Sequence, residues 1–166
     1  MKLRYVALLC AACALAVLVA LVPLGLAKKP AAKGAAKPRP LFAVLKGKNE
    51  ISPTTGKRGA GDPNAVGSAT VLIDKGKLCF GLTVTNLGSD PTAAHVHAAR
   101  RNKNGPIVVP LTPPTTGDPG ASGGCKPIDD TLAAKIQRHP GNYYVNVHDA
   151  TYPAGAARGQ LFKNRR

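Results

Sequence analysis

Glycine and proline divide the sequence after residue 40 into short segments. The chain of 166 residues holds 18 glycines and 15 prolines. Both residues favour turns, and proline cannot donate a hydrogen bond within a central strand. Short apolar segments that are separated by such turns are typical of all-β domains. We therefore predict an all-β domain over residues 41–166.

The clearest strand pattern lies at residues 77–85, where apolar side chains alternate with polar or small ones. The apolar face of this segment consists of Leu78, Phe80, Leu82 and Val84. Alternation of this kind predicts a half-buried strand. Residues 66–74 precede it across an Asp-Lys-Gly turn, which predicts a hairpin. Further strands are predicted at 41–45, 92–97, 107–111, 143–148 and 157–162.

One helix is predicted, at residues 129–139. Asp129 or Asp130 can cap its start, Leu132 and Ile136 form an apolar pair one turn apart, and Pro140 ends it. Residues 112–124, which are rich in proline, glycine and threonine, are predicted to form a long loop. The resulting prediction is a Greek-key β-sandwich of about seven to eight strands with one short helix.

Two histidines, His95 and His97, lie two positions apart in the predicted strand 92–97. Residues at this spacing point to the same side of a strand, with Cα atoms about 6–7 Å apart. Two imidazoles so placed can bind one metal ion, while Ala94 and Val96 face the core. The alternative is a pair of hydrogen-bonding histidines on a solvent-exposed face.

A third histidine, His148, ends the predicted strand 143–148 on the side opposite the apolar residues Val145 and Val147. Three histidines on the outer faces of two strands are a suitable ligand set for copper or zinc. The candidate metal ligands are therefore His95, His97 and His148. The fourth histidine, His139, lies at the predicted helix end, where it favours the helix dipole.

Arg158 lies in a glycine-rich segment that enters the last predicted strand. Two roles are open for it: a structural bond to a carboxylate such as Glu50 or Asp149, or presentation of positive charge to an anion near the histidines. No spacing typical of a Ser-His-acid or Cys-His catalytic site is present. Acidic residues number only eight, which argues against a hydrolase built on paired carboxylates.

The N-terminal segment predicts export. Lys2 and Arg4 precede an apolar stretch at 5–27, and small residues allow cleavage after Ala27, so residues 1–27 are predicted to be a signal peptide or an uncleaved anchor. Outside the cell, Cys79 and Cys125 would form a disulfide worth about 4 kcal/mol, with a metal-binding thiol pair as the alternative.

Residues 28–40 form a basic Lys/Ala/Pro linker that has nothing to bury. It serves either as a spacer or as an electrostatic tether to an anionic cell-wall polymer or lipid. Its cations are Lys28, Lys29, Lys33, Lys37 and Arg39. The net charge of +15 favours anionic partners, but the scarcity of aromatic residues argues against a specific nucleic-acid partner.

Several segments together resemble the CHRD domain family, which is named after chordin. The matching segments are FAVLKG at 42–47 with NE at 49–50, LCF at 78–80, TAAHVH at 92–97, GPIVV at 105–109, GC at 124–125, YYVNVH at 143–148 and RGQL at 158–161. The resemblance implies a secreted or envelope-associated β-sandwich module. The single-domain members have no settled activity, so the family itself implies no reaction.

The sequence is more distantly similar to the copper-zinc superoxide dismutases, which carry a His-Val-His strand, a later strand histidine and an arginine in a glycine-rich segment. This similarity implies copper ligands at His95, His97 and His148 and an anion-guiding role for Arg158. A zinc-binding loop and a bridging histidine are missing from the sequence. We therefore expect metal binding without catalysis, and superoxide dismutase-like activity is the enzyme alternative.

Overall fold

The structure, a computed structural model, describes residues 38–164. These residues contain nine antiparallel strands and one α-helix. Short 3-10 turns occur at Gly47–Asn49 and Pro140–Asn142. The elements in chain order are β1 (Leu41–Lys46), β2 (Val66–Asp74), β3 (Lys77–Thr85), β4 (Pro91–Ala98), β5 (Ile107–Leu111), β6 (Gly120–Pro127), α1 (Asp130–Arg138), β7 (Tyr143–Asp149), β8 (Ala157–Gln160) and β9 (Phe162–Lys163).

The strands form one sheet in the order β5-β4-β7-β8-β1-β2-β3-β6, and β9 also pairs with β1. Neighbouring strands that are not consecutive in sequence, such as β4 with β7, require crossover connections. The two outer strands, β5 and β6, approach each other, so the sheet is nearly closed around one core. The predicted all-β, sandwich-like fold is confirmed, with nine strands in the described residues.

The core consists of the apolar faces of these strands. In the β2–β3 hairpin, the predicted apolar face of β3 is buried, from Leu78 at 0% exposure to Phe80 at 7%. On β4, Ala94 and Val96 are fully buried, as the alternation predicts, which places His95 on the other side of the sheet. Burial of such apolar side chains contributes about 1.5–3 kcal/mol each for the larger ones.

The helix lies where the sequence predicts it. Asp129 is its N-cap, and its carboxylate accepts a hydrogen bond from the backbone N–H of Leu132 at 3.0 Å. Ile136 is fully buried against the core, and His139 is the C-cap residue. His139 therefore lies at the helix end, as predicted.

The prediction of a loop throughout residues 112–124 is wrong, because β6 begins at Gly120 and pairs with β3. Cys79 and Cys125 face each other in this pairing and form a disulfide. The disulfide prediction is confirmed. β6 has few apolar side chains and therefore no alternating pattern. It is defined instead by its pairing with β3 and by this covalent bond.

The predicted signal peptide or anchor at 1–27 and the cations Lys28, Lys29, Lys33 and Lys37 lie outside the described residues. Arg39 is the one predicted linker cation that the structure describes, and its side chain is exposed. Within residues 38–164, no helix has the length and apolar character needed to cross a membrane.

Candidate metal centre

The structure brings the three predicted histidines together on the outer face of β4 and β7. These strands are adjacent and antiparallel, and the pairing sets His97 opposite Tyr144 and His95 opposite Asn146. One ring nitrogen from each of His95, His97 and His148 lies within 4.8 Å of the others. His97 is 9% exposed, while His95 and His148 are partly exposed, so the group is reached from solvent on one side.

Hydrogen bonds to loop carbonyls fix two of the rings. The Nδ1 of His97 lies 2.9 Å from the carbonyl oxygen of Gly105, and the Nδ1 of His148 lies 3.0 Å from that of Pro153. Because a carbonyl only accepts, both Nδ1 atoms carry the proton, and in the neutral rings the lone pair is on Nε2. This is the arrangement in which a second-shell carbonyl orients a metal-binding histidine.

The remaining ring nitrogens point to a shared ligand position. The Nδ1 of His95 lies 3.1 Å from the Nε2 of His148, so the two nitrogens meet in one hydrogen bond. The Nε2 of His97 is buried and has no hydrogen-bond partner among residues 38–164. A buried polar atom without a partner costs about 1–3 kcal/mol of stability and therefore requires an explanation. One explanation is that these three nitrogens bind a metal ion.

The surroundings keep all three rings neutral. Burial, followed by the charges of His148 and His97, lowers the pKa of His95 to about 4. Burial also lowers the pKa of His97 and of His148, although the carbonyls of Gly105 and Pro153 act in the opposite direction. Neutral imidazole is the form that binds metal, so none of the rings has to lose a charge at neutral pH. Because the Nδ1 of His95 donates to the Nε2 of His148 in the free site, His95 has to move its proton to Nε2 before its Nδ1 can bind an ion.

The comparison with protein families gives a single result. The model of the CHRD domain matches residues 41–161, which includes every strand from β1 to β8. The chain belongs to the CHRD domain family. No curated protein and no solved structure matches the sequence significantly. Membership indicates an extracellular type of module and names no ligand.

In this CHRD domain, Arg158 is buried and does not join the histidine group. Its guanidinium donates to the side-chain oxygen of Asn104 at 2.9 Å and to the carbonyl of Lys103 at 2.8 Å. Its Cζ lies 3.6 Å from the ring centre of Tyr144, whose ring also stacks on His97 with 4.7 Å between centroids. The hydrogen-bond partners of the guanidinium within residues 38–164 are therefore neutral groups, and neither Glu50 nor Asp149 is among them.

The alternation of β7 does not reveal that its outer face is also buried. Tyr144 and Asn146 are 3% and 2% exposed, so this face of the CHRD domain forms a second, polar layer. The amide nitrogen of Asn146 donates to a carboxyl oxygen of Glu50, which is itself 3% exposed. Sequence reasoning missed this pair. The one available signal was the position of Asn146 between Tyr144 and His148 on the polar side of its strand.

Burial raises the pKa of Glu50 to about 8, despite the opposing effects of the Arg158 charge and the hydrogen bond from Asn146. The polar layer is tightly packed here: a Cβ on Gly155 would lie 2.6 Å from the Asn146 amide nitrogen and 2.7 Å from the Glu50 carboxyl. Glu50 and Asn146 therefore support the strand that carries His148 and hold the 149–156 loop close to it.

Proposed function

We propose that this CHRD domain is a secreted or envelope-associated, non-enzymatic module that binds one transition-metal ion through His95, His97 and His148. The observation that carries the proposal is the buried Nε2 of His97. It has no hydrogen-bond partner in the described part of the chain, and it belongs to a group of three histidine nitrogens within 4.8 Å. The Nδ1 hydrogen bonds of His97 and His148 support the same function.

The distances require a small closure on binding. Two nitrogens that each lie about 2.0–2.1 Å from one ion are at most about 4.2 Å apart. The His95–His148 pair, at 3.1 Å, already meets this limit. The group as a whole extends to 4.8 Å, and a tetrahedral ion with these bond lengths holds its nitrogens about 3.3–3.4 Å apart, so side-chain movements of about 1–1.5 Å would close the group around an ion.

Copper is our first choice and zinc the second. Imidazole nitrogens suit both ions, and a given nitrogen site binds Cu²⁺ more tightly than Zn²⁺ in the usual order of affinities. Three protein ligands leave at least one coordination position for water or for an external ligand. The partly exposed His95 and His148 give that position access to solvent.

The test is a copper titration of the purified protein, followed by metal analysis after dialysis. The variant His95→Ala/His148→Ala should lose the bound ion, while the wild type retains about one per chain. His139→Ala is the matched control, because it removes a histidine from the helix end without touching the group. Equal stoichiometry in the double variant and the wild type would refute the proposal.

A metal-free interaction module is the second candidate. The observation in its favour is that His97 and His148 already bond the carbonyls of two loops, so the histidines organise the surface without an ion. In that case the double alanine variant would show a lower thermal stability, and added copper would not raise the melting temperature of the wild type. Under our proposal, copper raises it by mass action.

Superoxide dismutase-like activity is the enzyme alternative. The burial of Arg158 and its separation from His97 by Tyr144 favour binding without turnover. We expect the copper-loaded, dialysed protein to show no superoxide turnover in a stopped-flow assay. Turnover that disappears in His95→Ala/His148→Ala would instead support an enzyme.

We also propose that residues 1–27 direct export and that 28–40 hold the domain away from an anionic envelope surface or tether it there. Membership of a family of extracellular modules supports this proposal. Mass spectrometry of the exported protein should find an N-terminus at Lys28. An intact N-terminus in the membrane fraction would identify an uncleaved anchor instead.

A further inference from the structure

A cleft of about 290 Å³ lies on the outer face of β1 and β8, beside the histidine group but separate from it. Its lining comes from these strands, from β9 and from two connecting loops. The side chains that carry the argument are Lys46, Lys48, Arg58, Arg101, Arg158 and Phe162. None of the three histidines lines it.

The charge of the cleft has one sign. Five of its lining residues are lysine or arginine, and no acidic side chain lines it within residues 38–164. Lys48, Arg58 and Arg101 are exposed at the rim, whereas Arg158 is buried in the floor. A concave surface lined by charges of one sign concentrates the field and attracts ligands of opposite charge.

Hydrogen bonds fix two of the three arginines, Arg58 and Arg158, before any ligand arrives. Asn49 joins them, because its amide nitrogen donates to the carbonyl of Arg158 at 3.2 Å and its side-chain oxygen accepts from Arg58 at 2.7 Å. Arg158 is held further by Asn104 and by the ring of Tyr144. Side chains that are ordered in advance lose less entropy when they bind an anion.

One wall of the cleft is apolar. Val44 is 52% exposed and Phe162 is 45% exposed, and both line the cleft. The Phe162 ring contacts that of Phe42, with 6.1 Å between centroids, so the neighbouring strand supports it. An exposed aromatic ring beside a row of cations suits a ligand that has both flat apolar faces and anionic groups.

We propose that this cleft binds an acidic polysaccharide, with sulfate or carboxylate groups on the cations and a sugar ring against Phe162. Arginine forks recognise such oxyanions in pairs of hydrogen bonds, and the apolar face of a sugar ring packs on an aromatic side chain. This site lies in the folded domain, so it is distinct from the basic residues of 28–40. It also requires no metal ion at the histidines.

The experiment measures binding of three probes to the metal-free full chain: a heparin oligosaccharide, an oligogalacturonate and an inorganic polyphosphate. Titrations are run at an ionic strength of about 0.01 M, where the Debye length is about 30 Å, and again at about 0.15 M, where it is about 8 Å. The cleft variant is Lys48→Ser/Arg58→Ser/Arg101→Ser. The matched control, Lys77→Ser/Lys135→Ser/Arg138→Ser, removes equal charge from β3 and α1, outside the cleft.

We expect at least one of the two sugar probes to bind the wild type and to lose about tenfold in affinity in the cleft variant, because three exposed charge contacts are removed. The control variant should lose less than about threefold in affinity at the higher ionic strength, because its substitutions reduce only the long-range attraction of the net charge. Phe162→Ala, which removes no charge, should weaken sugar binding by about threefold and leave polyphosphate binding unchanged.

Three results would overturn the proposal. Equal losses in the cleft and control variants would mean that net charge alone attracts the probe. Polyphosphate binding as tight as that of both sugars, with no effect of Phe162→Ala, would identify a simple anion site. Absence of binding by both sugars at low ionic strength would show that the cleft does not take this ligand class. Circular dichroism checks that each variant folds. If the triple cleft variant does not fold, Arg101→Ser alone takes its place, and we expect it to lose about threefold in affinity for the sugar probe.

Discussion

Tyr144 lies between His97 and Arg158 and keeps the guanidinium away from the metal-facing nitrogens. Its ring is nearly parallel to that of His97, at an angle of 7°, and Arg158 covers it from the neighbouring strand. Burial is the main cause of the lowered pKa of His97, and the charge of Arg158 adds a smaller effect in the same direction. The two residues do not hydrogen-bond to each other in the described part of the chain.

The lowered histidine pKa values predict metal binding that survives mild acid. Protons compete with a metal for the same lone pairs, and the pKa of His95 is about 4, whereas an ordinary histidine titrates near pH 6.5. Copper occupancy measured by equilibrium dialysis should therefore stay nearly constant from about pH 7 through about pH 6.5, the ordinary histidine pKa, and fall only at lower pH. Half-loss between about pH 6 and pH 7 would contradict the site described above.

Glu50 should make the protein less stable as pH rises. Its folded pKa of about 8 lies above the ordinary value of 4.5, so between these values the folded state holds a proton that the unfolded chain has released. The contribution of Glu50 to stability is then fully present below about pH 4.5 and is lost toward about pH 8, by up to about 1.4 kcal/mol per pH unit.

Glu50→Gln removes this titration, and its amide oxygen can still accept from Asn146. The three lowered histidine pKa values raise stability with pH in both proteins, so they cancel in a comparison of the two. The urea midpoint of the wild type should therefore fall relative to that of the variant between about pH 5 and pH 8. Identical pH profiles for the two proteins would show that Glu50 does not titrate in this range.

Gly155 is the residue whose replacement should damage the polar layer most directly. Its φ of +139° is unfavourable for other residues, and a Cβ would lie within 2.7 Å of both Asn146 and Glu50. We expect Gly155→Ala to lower the free energy of unfolding by at least about 2 kcal/mol. Gly56→Ala is the control, since its φ is +68° but nothing lies within 4 Å, so it should cost only about 1–2 kcal/mol. Equal losses would contradict the packing argument.

At the scale of elements, alternation predicted the strands that have one apolar face. The bounds of β2, β3 and β5 agree with the prediction, because buried apolar residues alternate with more exposed ones along each of these strands. β6 escaped prediction because glycine, serine and lysine dominate it and its partner, β3, lies far away in sequence. A pattern within one segment cannot reveal a strand that is defined by its partner.

The disulfide should stabilise β6 without affecting the histidines, because it joins β3 to β6 while the histidines lie on β4 and β7. We expect Cys79→Ala/Cys125→Ala to lower the free energy of unfolding by about 4 kcal/mol, from the loop of 46 residues that the bond closes. Copper stoichiometry should stay at that of the wild type. Loss of the bound ion in a variant that still folds would show that the two regions are coupled.

At the scale of the whole molecule, one connecting segment serves both proposed sites. In the 99–106 loop, Gly105 bonds His97, Lys103 and Asn104 bond Arg158, and Arg101 lines the basic cleft. The histidine group itself was predictable, since strand periodicity placed all three on one kind of face. The cover of loops that buries Tyr144 and Asn146 was not, because loop conformation depends on contacts with distant strands.

The central claim is that one metal ion binds between β4 and β7. The most direct measurement is a crystal structure of the copper-loaded protein with anomalous data at the copper edge. We predict one anomalous peak within about 2.0–2.2 Å of the Nδ1 of His95, the Nε2 of His97 and the Nε2 of His148. A copper peak at His139 or elsewhere, with the hydrogen bond between His95 and His148 still intact, would contradict this account.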